Sequence, residues 1–119
     1  FENDLYRDFT YIDDIVEGIV RLIDHPPVED VPSAVFNIGN NNPEKLMVFI
    51  GTLEKCLSKS LNREVIFDKV FEPIKPGDVP ATYASTDLLQ KAVGFKPKTS
   101  IEEGLQQFTD WYVDYYNVK

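Results

Sequence analysis

The stretch that decides the fold is RDFTYIDDIVEGIVRLI, residues 7–23. Residues 5–12 alternate with period two, so Arg7, Phe9 and Tyr11 share one face and Asp8, Thr10 and Ile12 the other, as in a β-strand. Asp13 then predicts a helix N-cap, and Asp14 and Glu17 add negative charge near the positive end of the helix dipole. The helix is expected to run to about Asp24, where Pro26 and Pro27 stop it. Along it Ile15, Ile19, Leu22 and Ile23 form one apolar stripe, which Val16 and Val20 carry round the side. Such a helix needs cover on more than one face.

Working outward, AVFNIG at residues 34–39 is short and almost wholly apolar, the composition of a strand in a buried parallel sheet. Asn42, Pro43 and Glu44 read as an N-cap, a proline at the first helical position and an early acid. Leu46, Phe49, Ile50, Leu53 and Leu57 continue that helix at spacings of three and four. A further strand is expected over residues 64–69, before the loop EPIKPGDVPATYAS at 72–85. Residues 86–93 predict a short helix with Gly94 as its left-handed C-cap. Ser100 and Glu103 form the capping-box pattern, followed by a stripe of Ile101, Leu105, Phe108, Tyr112 and Tyr115. The order is β-α-β-α-β-α-α, an α/β pattern without internal repeats. These strands and the first helix ask for more sheet than the chain supplies. The chain also begins at Phe1 and enters a strand at once, so the expectation is a partial α/β unit over residues 1–119 with an amino-terminal part preceding it.

The 119 residues are one domain's length or a piece of a larger one, and 43% hydrophobic content is enough to fill a core. A formal net charge of −8 argues against a general nucleic-acid binder, whose affinity needs a basic surface. The single Cys56 can make no internal disulfide, nothing resembles a secretory signal, and no apolar run approaches the ~20 residues that span a bilayer. The expected setting is soluble and cytoplasmic, without nucleic acid or membrane as partner.

Two features carry candidate chemistry. Arg7 is either a surface strand residue paired with a nearby acid, or an anion clamp, since a guanidinium fork fits phosphate oxygens. The loop KPGDVPATYA is either a rigid connection or a rigid mount that sets Lys75 against a phosphate and Asp78 against ribose hydroxyls. Asp13 and Asp14 read as helix caps rather than metal ligands, and no metal site is expected. His25 sits at a helix C-terminus and Cys56 beside an apolar stripe, and both read as structural. The aromatic tail of Trp111, Tyr112, Tyr115 and Tyr116 reads as packing. The six glycines, at 18, 39, 51, 77, 94 and 104, show no clustered dinucleotide-binding spacing.

RDFTYIDD, NIG and PGD occur here in the order and with nearly the spacing of the carboxy-terminal third of the extended short-chain dehydrogenase/reductases. The chain resembles the nucleotide-sugar epimerases of that family over almost its whole length, most closely the UDP-glucuronate 4-epimerases of capsule biosynthesis. The resemblance implies the substrate-binding lobe, together with the last strand and helices of a Rossmann-like domain. It implies a parent enzyme that oxidises the sugar's C4 hydroxyl with NAD, turns the keto-sugar over and returns the hydride to the other face. The family's glycine-rich turn and catalytic tyrosine, lysine and Ser/Thr would lie upstream, so no catalytic or NAD-binding residue is expected in this chain. Tyr115 and Lys119 do match the family's Tyr-x-x-x-Lys spacing, but they close the chain and are not taken as that pair. By motif match Arg7 is implied to bind the UDP diphosphate, Asp78 to lie near the ribose, and Lys75 to stand where galactose epimerases carry a diphosphate-binding arginine. A nucleotide-sugar dehydratase or decarboxylase shares these positions, and a non-catalytic binding or assembly module is the reading from another class. A homo-oligomer is expected, because the first helix and AVFNIG would each lack a packing or pairing partner.

Overall fold

A computed structural model describes residues 5–119; the first four residues of the expected unit lie outside the described ones. In chain order the elements are β1 (Tyr6–Arg7), α1 (Ile12–Ile23), β2 (Glu44–Lys45), α2 (Leu46–Leu61), β3 (Ala81–Thr82), α3 (Asp87–Val93) and α4 (Ile101–Tyr115). The letters match the expected order, but two of the three strands are other residues than those expected.

The sheet has the order β2-β1-β3. β1 pairs antiparallel with β2, Tyr6 opposite Lys45 and Arg7 opposite Glu44, and parallel with β3, Tyr6 opposite Ala81 and Arg7 opposite Thr82. Among the described residues AVFNIG and residues 64–69 join no strand: the described sheet is β2-β1-β3, and its two outer strands, each two residues long, pair with β1 alone. Residues 8–11 likewise leave the ladder after Asp8 N–H donates to Thr82 O at 3.1 Å. Helix starts also differ from expectation. α1 begins at Ile12 with Tyr11 in the cap position, which puts Asp13 and Asp14 inside the first turn. α2 begins at Leu46, since Glu44 and Lys45 are held extended on the edge of β1. Where the signal is local, it holds: Gly94 ends α3 at φ 64°, and Ser100 Oγ accepts from Glu103 N–H at 3.1 Å.

The core is thin and lies mainly between α2 and α4, where Cys56 and Leu105 are buried. Cys56 Sγ donates to Glu102 O at 3.8 Å, and burial pushes its thiol pKa up, as for an inert packed cysteine. Thr109, also buried, shares a hydrogen bond with Ser60 Oγ at 2.9 Å. The expected α4 stripe divides: Leu105 faces α2, whereas Phe108, Tyr112 and Tyr115 are exposed in a ring cluster with Trp111 and Tyr116. On α1, only Gly18 is buried, and Ile12, Val16, Ile19, Val20 and Ile23 are exposed. The radius of gyration is 17.7 Å, against about 13.5 Å for a compact chain of this length, so much of the apolar surface lies open.

Candidate functional site

β1 is the spine of the site. Phe9, just beyond it, stacks on Phe49 of α2 with ring centroids 4.0 Å apart, which ties the segment to the helix. Asp8 faces the other way and organises the loop before β2. Its carboxylate accepts Asn41 N–H at 2.9 Å and Asn42 N–H at 3.2 Å, and Thr10 Oγ1 accepts Asn40 N–H at 3.1 Å. A Cβ on Gly39 would come within 2.9 Å of that carboxylate, so the NIG glycine is set by a close approach. Arg7 is half-buried, and its Nη1 donates to Tyr6 O at 2.8 Å, which engages one of its five donors and fixes the guanidinium against its own strand. Of the two readings of Arg7, pairing with a nearby acid is not made with Asp8, whose carboxylate accepts the backbone amides of Asn41 and Asn42.

The loop ahead of β3 carries the other two candidates. Asp78 N–H donates to Lys75 O at 3.1 Å across Pro76 and Gly77, with Gly77 at φ 95°. Proline second and positive-φ glycine third are the requirements of a type II turn, so the turn's backbone is fixed by its sequence. Lys75 Nζ lies 2.9 Å from Glu72, with the two side chains 72% and 60% exposed. A pair so open to water is worth little, and a stronger anion displaces the carboxylate readily.

Lys75 and Asp78 line one cavity of about 550 Å³. Its apolar wall includes Leu46, Ile50 and Leu53 of α2 and Phe67 of the extended segment that follows. Leu5 lines it too, whereas Arg7, two residues further along β1, does not. The structure thus brings Lys75 and Asp78 together and sets Arg7 on the strand next to β3. Asp68, Lys69 and Glu72 line the cavity as well, so an apolar slot carries two cations and three carboxylates at its charged end, and such a site can meet a ring with apolar contacts and a polar group with either sign of charge. Among the described residues no group of histidine, cysteine, aspartate and glutamate is placed to hold a metal ion, and no helix is long and apolar enough to cross a membrane.

Two residues of this region were not singled out in the sequence. Asp8 is one. The other is Glu54 of α2, whose Oε1 accepts from Phe67 N–H at 2.7 Å and from Lys69 Nζ, and so pins the cavity's wall. The available signal is position: Glu54 is an acid four residues after Ile50 and three before Leu57, on the helix's apolar stripe.

A model of the family described as GDP-mannose 4,6 dehydratase matches residues 2–108. Protein CapI of Staphylococcus aureus is 40% identical over 94% of this chain, and a probable UDP-glucuronate 4-epimerase of Rhizobium meliloti is 40% identical over 97% of it. The chain spans 36% of the length of each of these relatives. Among solved structures, a UDP-glucose 4-epimerase of Bifidobacterium longum, in complex with NAD+ and UDP, superposes with a TM-score of 0.74. It is 24% identical, with 96% of this chain and 32% of that one covered, and shows the fold. A UDP-glucuronic acid 4-epimerase of Bacillus cereus, in complex with UDP-4-deoxy-4-fluoro-glucuronic acid and NAD, is 26% identical with a TM-score of 0.69, covering 92% of this chain and 32% of its own.

Proposed function

We propose, for a chain that belongs to the GDP-mannose 4,6-dehydratase family, that residues 1–119 are the nucleotide-holding lobe of an NAD-dependent UDP-sugar 4-epimerase, in kind a UDP-glucuronate 4-epimerase. The observation that carries this reading is the hydrogen-bonded Lys75–Asp78 turn at the rim of an apolar cavity. Its support is the likeness to epimerases that act on or are bound to UDP-sugars.

In this reading the uracil enters the apolar cavity, the Asp78 carboxylate accepts from ribose hydroxyls, and Lys75 leaves Glu72 for the diphosphate. Arg7 reaches the diphosphate with the donors not engaged by Tyr6 O. Lysine at 75 supplies charge without a planar fork, so the directional phosphate contact falls to Arg7. These residues bind and orient; none of them moves a proton or a hydride. NAD, when bound, supplies hydride transfer at the sugar's C4. The glycines of this chain form no pyrophosphate-binding turn, so the residues present do not fit NAD. Residues 1–119 alone are expected to bind no NAD and to have no epimerase activity.

The same reading gives the exposed face of α1 to the remainder of a nucleotide-binding sheet, has residues 1–119 on their own self-associate through residues 34–39, residues 15–23 or both, and puts the protein in the cytoplasm. The family description itself favours a second reading, a nucleotide-sugar dehydratase. Incubating the intact protein with UDP-glucuronate and, in parallel, with a nucleotide hexose that keeps its C6 hydroxyl separates them, since only the latter can lose water to a 4-keto-6-deoxy sugar. The C4 epimer as product supports the proposal; a 4-keto product or released carbon dioxide overturns it.

A further inference from the structure

Residues 67–75 form one wall of the cavity and belong to no strand of the described sheet. Part of their hold on the fold comes from one face of α2. Glu54 Oε1 accepts Phe67 N–H at 2.7 Å and the ammonium of Lys69, and one turn later Ser58 Oγ accepts Val65 N–H at 2.9 Å. Glu54 and Ser58 are four residues apart, hence neighbours on the helix surface, and Ser58 Oγ donates to Glu54 O at 2.7 Å. Alternate amides of the extended segment, those of Val65 and Phe67, therefore meet side-chain oxygens where a neighbouring strand would offer carbonyls. The Glu54 side chain is 18% exposed and that of Lys69 28%, so this ion pair is far less screened than Lys75 with Glu72. From Lys69 the chain reaches Lys75 in six residues, and Pro73 and Pro76 restrict its backbone.

We propose that Glu54 is a positioning residue for the nucleotide: by fixing Phe67 and Lys69 it holds the cavity wall so that Lys75 and Asp78 meet the ligand already ordered. This rests on the nucleotide-binding reading above. The ordering is done before binding, so its loss weakens affinity without touching the chemical step. Glu54→Gln keeps an acceptor for Phe67 N–H and drops the charge facing Lys69; Glu54→Ala drops both.

The test is UDP calorimetry together with steady-state kinetics on UDP-glucuronate, using the intact protein. Glu54→Ala raises the Kd for UDP and the KM about tenfold, Glu54→Gln about threefold, both with kcat unchanged. Lys69→Met matches Glu54→Gln. A purely stabilising role would lower the melting temperature and leave Kd and KM at wild-type values, which overturns the proposal, as does a kcat that falls in step with kcat/KM. Where Glu54→Ala does not fold, Glu54→Gln decides by the same criterion. Wild-type protein that binds no UDP overturns the nucleotide reading itself; UDP bound equally by wild type and Glu54 variants overturns this inference alone.

Discussion

The Asp14 carboxylate accepts the backbone N–H of Thr99 at 2.9 Å and that of Lys98 at 3.2 Å, and so joins the first turn of α1 to the loop before α4. An acid that reads in sequence as a helix cap is the bolt between two distant parts of the chain. Hydrogen bonds to a charged group contribute about 1.5–3 kcal/mol, and removing the acceptor leaves two amides unpaired. Asp14→Ala is expected to lower stability by about that amount in urea unfolding, with Asp14→Asn recovering part of it.

Two helical glycines should respond oppositely to alanine. A Cβ at Gly51 of α2 meets nothing within 4 Å, so Gly51→Ala is expected to stabilise by about 0.5–1 kcal/mol, the usual gain in a helix interior. At Gly18 of α1 the same Cβ would lie 3.1 Å and 3.2 Å from two Ile38 methyl carbons. Overpacking of about 1–3 kcal/mol there cancels or exceeds the helix gain. Unfolding midpoints in urea check the order: Gly51→Ala above wild type, Gly18→Ala at or below it.

How far the sequence could be read divides by range. Gly94, Ser100 and the Pro76-Gly77 turn are legible because their signals act within a few residues. AVFNIG fails as a strand, although its composition suits one, because pairing depends on an edge that composition does not show. Glu44 and Lys45, following a proline, enter the sheet because Tyr6 and Arg7 accept them. In the site, Lys75 and Asp78 stand out for lying on a turn with its own signature. Glu54 and Asp8 do not, because their partners are remote in sequence: Phe67 is 13 residues from Glu54, and Asn41 is 33 from Asp8.

Glu54 also gives the fold a pH dependence. The Lys69 ammonium first, then Phe67 N–H, hold its pKa below the ordinary value of 4.5, against the opposing effect of burial. A pKa lower in the folded than in the unfolded state contributes stability above the unfolded value and loses it as pH falls through the folded one. Wild type is therefore expected to be more stable than Glu54→Gln at about pH 7, with the gap closing as pH falls below 4.5. Urea unfolding across that range checks it; a gap that is constant or widens on acidification contradicts it.

Arg7 is expected to act on binding. Arg7→Ala in the intact protein should weaken UDP-sugar binding by about 1.5–3 kcal/mol, the worth of a hydrogen bond to a charged group, and Arg7→Lys should restore only part of it. An Arg7→Ala variant with wild-type UDP affinity would make Arg7 a strand residue and nothing more.

The most direct measurement of the central claim is a crystal structure of the intact protein with UDP bound. The account predicts the uracil in the cavity walled by Leu46, Ile50, Leu53 and Phe67, a ribose hydroxyl on the Asp78 carboxylate, and a diphosphate oxygen within hydrogen-bond distance of the Arg7 guanidinium. UDP bound elsewhere, with that cavity open and Arg7 still turned only to Tyr6 O, would contradict it.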